Sequence, residues 1–280
     1  MYQPYSIAVL YLILGFSLTA RAEFVRQDEV DELNAVATRL TKAHPQSKTV
    51  YVFVGRGPAG ISMYFHCLGA KGIDLPLTRF SEAVSIDETG SLRSTLKEEQ
   101  LQRLFTHLDR ILPSDEVLGG RELVFVDTGR HGRTLSALMH HIPLYRSQRR
   151  RHFVARSALL KIDDKIPILA ADVPDTVIPL DPYPLVSLHS FDKQYGYEKD
   201  AAIGSWSVYS DEPGPTPNPN LKRHERYLDA LNSAIALNSD ARKLQTSLGL
   251  PAATCPEISA LASPLPSPTI LRRFWPFGRH

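Results

Sequence analysis

The chain has 280 residues, 43% hydrophobic and 22% charged, a composition that supports a folded core and excludes a chain dominated by a biased tract. Its formal net charge of +2 gives no general attraction to nucleic acid, so Arg149-Arg150-Arg151 and Arg272-Arg273 read as solvated loop and tail residues. Cys67 and Cys255 form no CxxC pair, which argues against a cysteine zinc site; a buried thiol and an exposed one are the default, although an exported chain would allow a disulfide.

Residues 1–22 stand apart. Ile7 to Leu18 is an apolar run followed by Thr19-Ala20-Arg21-Ala22, whose small residues suit a signal-peptidase cut after Ala22. Twelve apolar residues fall short of the about 20 that cross a bilayer. The expectation is therefore a cleaved signal, a secreted or periplasmic protein, and no transmembrane span once the signal is removed. An uncleaved anchor is the alternative.

Val30, Leu33, Val36, Ala37 and Leu40 have the spacing of one helical face over residues 24–43. Thr49 to Val54 is a continuous β-branched and aromatic run that reads as a buried strand, and a helical pattern from Gly60 to Leu68 follows it. A short strand is expected around Ile73 to Leu77, then a mobile polar loop over 81–94. Thr95 and Glu98 suit a capping box for a helix whose apolar face is Leu101, Leu104, Phe105, Leu108, Ile111 and Leu112. Leu123 to Val126 is the second strongly apolar strand, with a loop-to-helix transition over Asp127 to Leu138.

Beyond residue 150 the pattern weakens to short strand candidates at Ile166–Ala170 and Val177–Leu180. Residues 211–220 read as a Pro-rich connector. One long amphipathic helix is expected from Leu228 to Leu248, and residues 250–280 as a Pro- and Ser-rich tail. Alternating strands and helices imply an α/β domain over 23–210 with a mostly parallel sheet flanked by helices, followed by a helical extension over 221–249.

Two strand-to-helix loops carry the chemistry. In the first, Gly55-Arg56-Gly57-Pro58-Ala59-Gly60, glycines let backbone N–H groups approach an anion, the helix N-terminus adds its dipole, and Arg56 supplies a fork of donors suited to phosphate. The same glycines would also serve a tight turn that simply needs small residues. In the second, Asp127-Thr128-Gly129-Arg130-His131-Gly132-Arg133-Thr134, an acid at the carboxyl end of a strand is followed by backbone donors, a hydroxyl and two guanidinium groups. On parallel strands both loops open at one sheet edge. The expected partner is a phosphorylated small molecule carrying hydroxyls.

Together, Val54-Gly55-Arg56-Gly57-Pro58-Ala59 and Leu123 through Thr134-Leu135 resemble the two ligand loops of type I phosphoribosyltransferases, over roughly residues 45–145. The resemblance implies that Arg56 and Gly57 bind pyrophosphate, with Pro58 and Ala59 among the ligand-binding residues of that loop. It further implies that Asp127 holds the ribose hydroxyls and that the turn His131, Gly132, Arg133 and Thr134 holds the 5′-phosphate, with Thr128, Gly129 and Arg130 among the ligand-binding residues of that loop. It also implies Mg²⁺ as the cofactor and Asp127 as the catalytic residue, in a largely electrostatic mechanism. The chain departs from the family in having Thr128 where a second acid is usual, and His131, Gly132 and Arg133 where Thr and small residues are usual.

Two other readings compete. Arg130-His131-Gly132-Arg133-Thr134 matches the RHGxT core of histidine phosphatases, in which His attacks phosphorus. Against it stand its place after a complete strand-loop-helix unit and the three residues between it and the expected strand end; His189 is the nearest partner candidate. The third reading is a non-catalytic binding module on the same fold. His140-His141, near the expected helix end, do not face one ligand. Trp206, with Tyr195, Tyr197 and Tyr209, reads as core packing rather than as a base-stacking platform.

Overall fold

A computed structural model describes residues 25–55, 57–70, 72–168, 174–180, 206–210 and 221–250. The expected signal, Arg56, the strand candidate's Leu169 and Ala170, His189, Tyr195, Tyr197, the 211–220 connector and the 251–280 tail lie outside those residues. Five strands form one all-parallel sheet in the order β2-β1-β5-β6-β7. They are β1 (Thr49–Val54), β2 (Gly72–Leu75), β5 (Glu122–Gly129), β6 (Ala155–Lys161) and β7 (Thr176–Pro179). The protein has an α/β fold.

Side chains alternate across a strand, so each strand feeds two layers. Tyr51, Phe53, Val124, Val126, Ala158 and Leu160 face one side. There they meet α1 (Gln27–Ala43), α2 (Ala59–Leu68), α6 (Leu221–Leu237) and α7 (Ser239–Ser247). Val50, Val52, Val54, Leu123, Phe125 and Leu159 face the other. They meet α3 (Glu98–Ile111), α4 (Asp115–Leu118) and α5 (Arg133–Arg149). Each fully buried Leu or Phe in these layers contributes about 1.5–3 kcal/mol. Among the described residues no helix is long and apolar enough to cross a membrane.

Several expectations change. The polar segment 81–94 is an ordered hairpin of β3 (Val84–Ile86) and β4 (Leu92–Ser94), not a free loop. Its turn is held by Asp87, which accepts N–H bonds from Thr89 at 2.9 Å and Ser91 at 3.0 Å and pairs with Arg93 at 2.8 Å. Helix α3 starts after Lys97, whose N–H donates to the Gln100 side chain at 2.9 Å; Thr95 instead donates to the Glu82 carbonyl at 2.7 Å. Helix α5 passes through Pro143, which sits on its exposed side, so His140 and His141 are mid-helix and not near its end.

The main strand after residue 150 is Ala155–Lys161, and Ile166, Pro167 and Ile168 are not in a strand. Arg149 and Arg151 are not free surface charges but half-buried ion pairs: Arg149 pairs with Asp109 at 2.8 Å and Arg151 with Asp115 at 2.8 Å, tying the end of α5 to α3 and α4. The C-terminal helix is two helices broken at Asn238, whose side chain caps α7 through the Asp240 and Ala241 N–H groups. Both belong to the first layer: Tyr227 donates to Glu29 at 2.9 Å and Asn238 to Asp31 at 2.7 Å. Cys67, fully buried at the end of α2, is disulfide-bonded rather than a free thiol.

Candidate functional site

Strands β1 and β5 are neighbours, with Phe53 level with Val126. The helix after β1 packs in the first layer and the helix after β5 in the second. The chain therefore leaves these adjacent strands toward opposite faces, opening a crevice at their carboxyl ends. In open α/β sheets this switch point is where ligands bind.

The first loop is built around two glycines. Gly55 has φ +66°, and a Cβ there would lie 2.8 Å from the Leu77 carbonyl oxygen. A Cβ on Gly57 would lie 2.9 Å from the Thr128 carbonyl oxygen, 3.0 Å from Thr128 Cβ and 3.2 Å from Asp127 Oδ1. Both positions need glycine because backbone meets backbone. The small-residue packing explanation thus applies to both, and at Gly57 it is what joins the two loops. Gly57→Ala is expected to cost about 1–3 kcal/mol in urea unfolding, since the opposing carbonyl belongs to a central strand and cannot yield. An unchanged midpoint would show that the loops separate freely. Pro58 is the residue before α2 and Ala59 its first; both are buried.

The second loop is shorter than its sequence suggests. Strand β5 continues through Gly129, with Asp127, Thr128 and Gly129 level with Leu159, Leu160 and Lys161. The free turn is Arg130-His131-Gly132. Arg130, His131 and Arg133 are exposed, Thr128, Gly129 and Thr134 half-buried. Gly132, at φ +69°, turns the chain into α5, and its α-carbon faces Leu159, whose Cδ2 would be 3.3 Å from a Cβ. His131 Nδ1 lies 3.3 Å from the Pro167 carbonyl oxygen.

Asp127 is 7% exposed, and its Oδ1 accepts the Thr128 N–H at 2.7 Å. Burial raises its pKa to about 7, against the opposing effect of that hydrogen bond. A carboxyl tuned this far in a strand-end crevice has the character of a functional group. Two helix N-termini flank it. Neither α2 nor α5 has a side-chain cap, whereas Ser114 caps α4. Among the described residues no N-cap side chain takes their first N–H groups, which point to where an anion would sit.

The structure thus brings Gly57, Asp127 and Thr128 into contact and sets Arg130, His131, Arg133 and Thr134 on the adjoining turn. Sequence reasoning missed Lys161, buried at the end of β6 beside Gly129, whose ammonium donates to the Asp164 carbonyl at 3.0 Å. Its signal was available: it ends the apolar run Ala158-Leu159-Leu160 as Asp127 ends its own. A cavity of about 320 Å³ lies at the opposite, amino edge of the sheet, lined by His44, Lys48, Gly119, Gly120, Arg121 and Glu122. It contains none of the loop residues described above. Among the described residues no group of three or more His, Cys, Asp or Glu is placed to hold a metal ion.

No protein-family model matches this chain, and no curated protein matches it. Among solved structures it is similar to a hypothetical protein from Neisseria gonorrhoeae with bound ppGpp. The two are 18% identical over 56% of this chain and 86% of that one, with a TM-score of 0.27. An overlap that low carries no argument about fold or ligand.

Proposed function

We propose that the crevice between β1 and β5 binds a phosphoribosyl or pyrophosphate ligand, as the resemblance to type I phosphoribosyltransferases implies. The observation that carries this reading is the contact of Gly57 with Asp127 and Thr128, which joins a phosphate-type loop to a buried acid at the sheet's switch point. Asp127 would accept hydrogen bonds from ribose hydroxyls. The Arg130–Thr134 turn and the start of α5 would hold the 5′-phosphate, and Arg56 and Gly57 the pyrophosphate. Transfer of the phosphoribose to an acceptor is the associated reaction.

Mg²⁺ fits this site as a companion of the ligand's phosphates, since such ions are held by one or two carboxylates and otherwise by phosphate and water; Asp127 is the carboxylate that β5 provides. When bound, it would neutralise charge on the leaving pyrophosphate. The disulfide at Cys67 supports an exported protein in an oxidising compartment, in keeping with the 1–22 segment.

Thermal unfolding with and without phosphoribosyl pyrophosphate and Mg²⁺ tests the reading. At a ligand concentration 100 times Kd the protein should gain about 2.7 kcal/mol. The gain should vanish in Asp127→Asn. No gain in the wild type would overturn the proposal.

A second reading is favoured by one observation. Because β5 extends to Gly129, Arg130-His131-Gly132 directly follows its strand, which removes one objection to histidine-phosphatase chemistry. That reading requires hydrolysis of p-nitrophenyl phosphate that disappears in His131→Ala, and it requires no dependence on phosphoribosyl pyrophosphate.

A further inference from the structure

Away from the strand edge, the hairpin and α5 assemble a different arrangement. His141 is 1% exposed, and its Nδ1 lies 2.7 Å from the Ala137 carbonyl oxygen. A carbonyl can only accept, so Nδ1 carries the proton and Nε2 is left as an acceptor. Ser94 Oγ lies 2.8 Å from that Nε2 and therefore donates its proton to it. The same oxygen accepts the Leu96 N–H at 3.2 Å, and Ser94 is exposed, so a second lone pair remains open to solvent. The Phe80 ring, edge-on to the imidazole with centroids 5.8 Å apart and 64° between planes, helps to fix the imidazole plane. Hydroxyl, imidazole and an orienting acceptor in line are the geometry of an activated nucleophile.

We propose that Ser94 is a nucleophilic hydroxyl and His141 its general base, forming a second reactive centre that takes small activated carboxylic esters. Ser94 Oγ bonds to the ester carbonyl carbon as its proton passes to His141 Nε2. The ester C–O bond then breaks and the alcohol leaves with that proton. Water repeats the sequence on the acyl-serine, returning Ser94 and releasing the acid, so that ester and water become acid and alcohol.

This centre does not depend on the strand-edge reading: His141 lies eight residues into α5, roughly 12 Å along its axis from the phosphate turn. Burial lowers the His141 pKa, which keeps the imidazole in its base form at neutral pH. His140, in the same helix, lies beside it with ring centroids 5.2 Å apart. Of the charged groups on the elements packed against α5, Glu82 pairs with Arg79 and Arg93 with Asp87, while Asp127 of β5 accepts the Thr128 N–H and Lys161 of β6 donates to the Asp164 carbonyl.

The test is labelling of the full chain with a fluorophosphonate, located by mass spectrometry, alongside p-nitrophenyl acetate hydrolysis. A single adduct at Ser94 is expected, lost in Ser94→Ala and slowed at least about 100-fold in His141→Gln. In the wild type the labelling rate should reach a plateau above the histidine range. This readout serves even if His141→Gln does not fold, because a hydroxyl that merely tethers the hairpin to α5 would react in proportion to hydroxide. No adduct at Ser94, or a rate that climbs with pH without a plateau, would overturn the proposal.

Discussion

Asp127→Asn is expected to make the protein more stable at pH 8 while abolishing its response to phosphoribosyl pyrophosphate. The folded carboxyl has a pKa of about 7 against 3.8 for the free group. Because the folded value is raised, its contribution is fully present below about pH 4, declines as pH rises, and is lost above about pH 7. Roughly three pKa units correspond to a ceiling of about 4 kcal/mol. The amide carries no charge at any pH, and its oxygen can still accept the Thr128 N–H. Its new N–H₂ donors, however, meet no established partner, which recovers about 1–2 kcal/mol of the gain. The net expectation is about 2–3 kcal/mol of added stability at pH 8 and a loss of about 1–2 kcal/mol at pH 4, where only the unpartnered amide donors count, read from urea unfolding at both values. Equal stability of the two proteins at pH 8 would mean that Asp127 is solvated and that the crevice is not as closed as it stands here.

Acidification is expected to act through His107 in the opposite sense. This imidazole is 2% exposed, stacked on Trp206 with ring centroids 3.8 Å apart and 7° between planes. Its Nε2 donates to the Pro76 carbonyl at 3.0 Å. Burial lowers its pKa from 6.5 to about 4. A depressed value means that its contribution is present above pH 6.5 and lost as pH falls through about 4. Two and a half units amount to about 3 kcal/mol.

His107→Phe keeps a ring against Trp206 but cannot titrate, so its stability should change far less between pH 7 and 4. The variant leaves the Pro76 carbonyl without a donor and should therefore be weaker at pH 7 by about 1–3 kcal/mol. In the wild type the losses at His107 and the gain at Asp127 fall in the same pH window and largely cancel. Asp127→Asn removes the gain alone, so it should be markedly more acid-labile than the wild type, and the double variant should recover a flat profile. A steep wild-type loss that persists unchanged in His107→Phe would assign acid lability elsewhere, with buried His44 and His141 next in line.

These two groups also illustrate where residue patterns suffice and where they do not. Trp206 was legible as core because a large aromatic is far more often packed than displayed. That it lies flat on His107, and that this places a titrating group inside the second layer, follows from α3 meeting residues about a hundred positions away. Asp127 was legible as a site residue from its place after an apolar run. Its raised pKa was not, because burial depends on what covers a residue, and here Gly57 of another loop does so.

The sequence by itself determined the parallel α/β layering and the two loops at its edge. Continuous β-branched runs at Thr49–Val54 and Leu123–Val126 bury on both faces, and the intervening apolar periodicities permit only covering helices. Local pattern carries that information because the alternation of two layers is written into each strand. Only the tertiary structure decided the rest: the order β2-β1-β5-β6-β7, the continuation of β5 through Gly129, the ordered hairpin over 84–94, and the passage of α5 through Pro143. Gly129 joins a strand because Lys161 lies beside it, and Pro143 is tolerated because its face of the helix meets solvent. Those outcomes depend on partners distant in the chain, and a neighbour's identity is not encoded in the residues that need it.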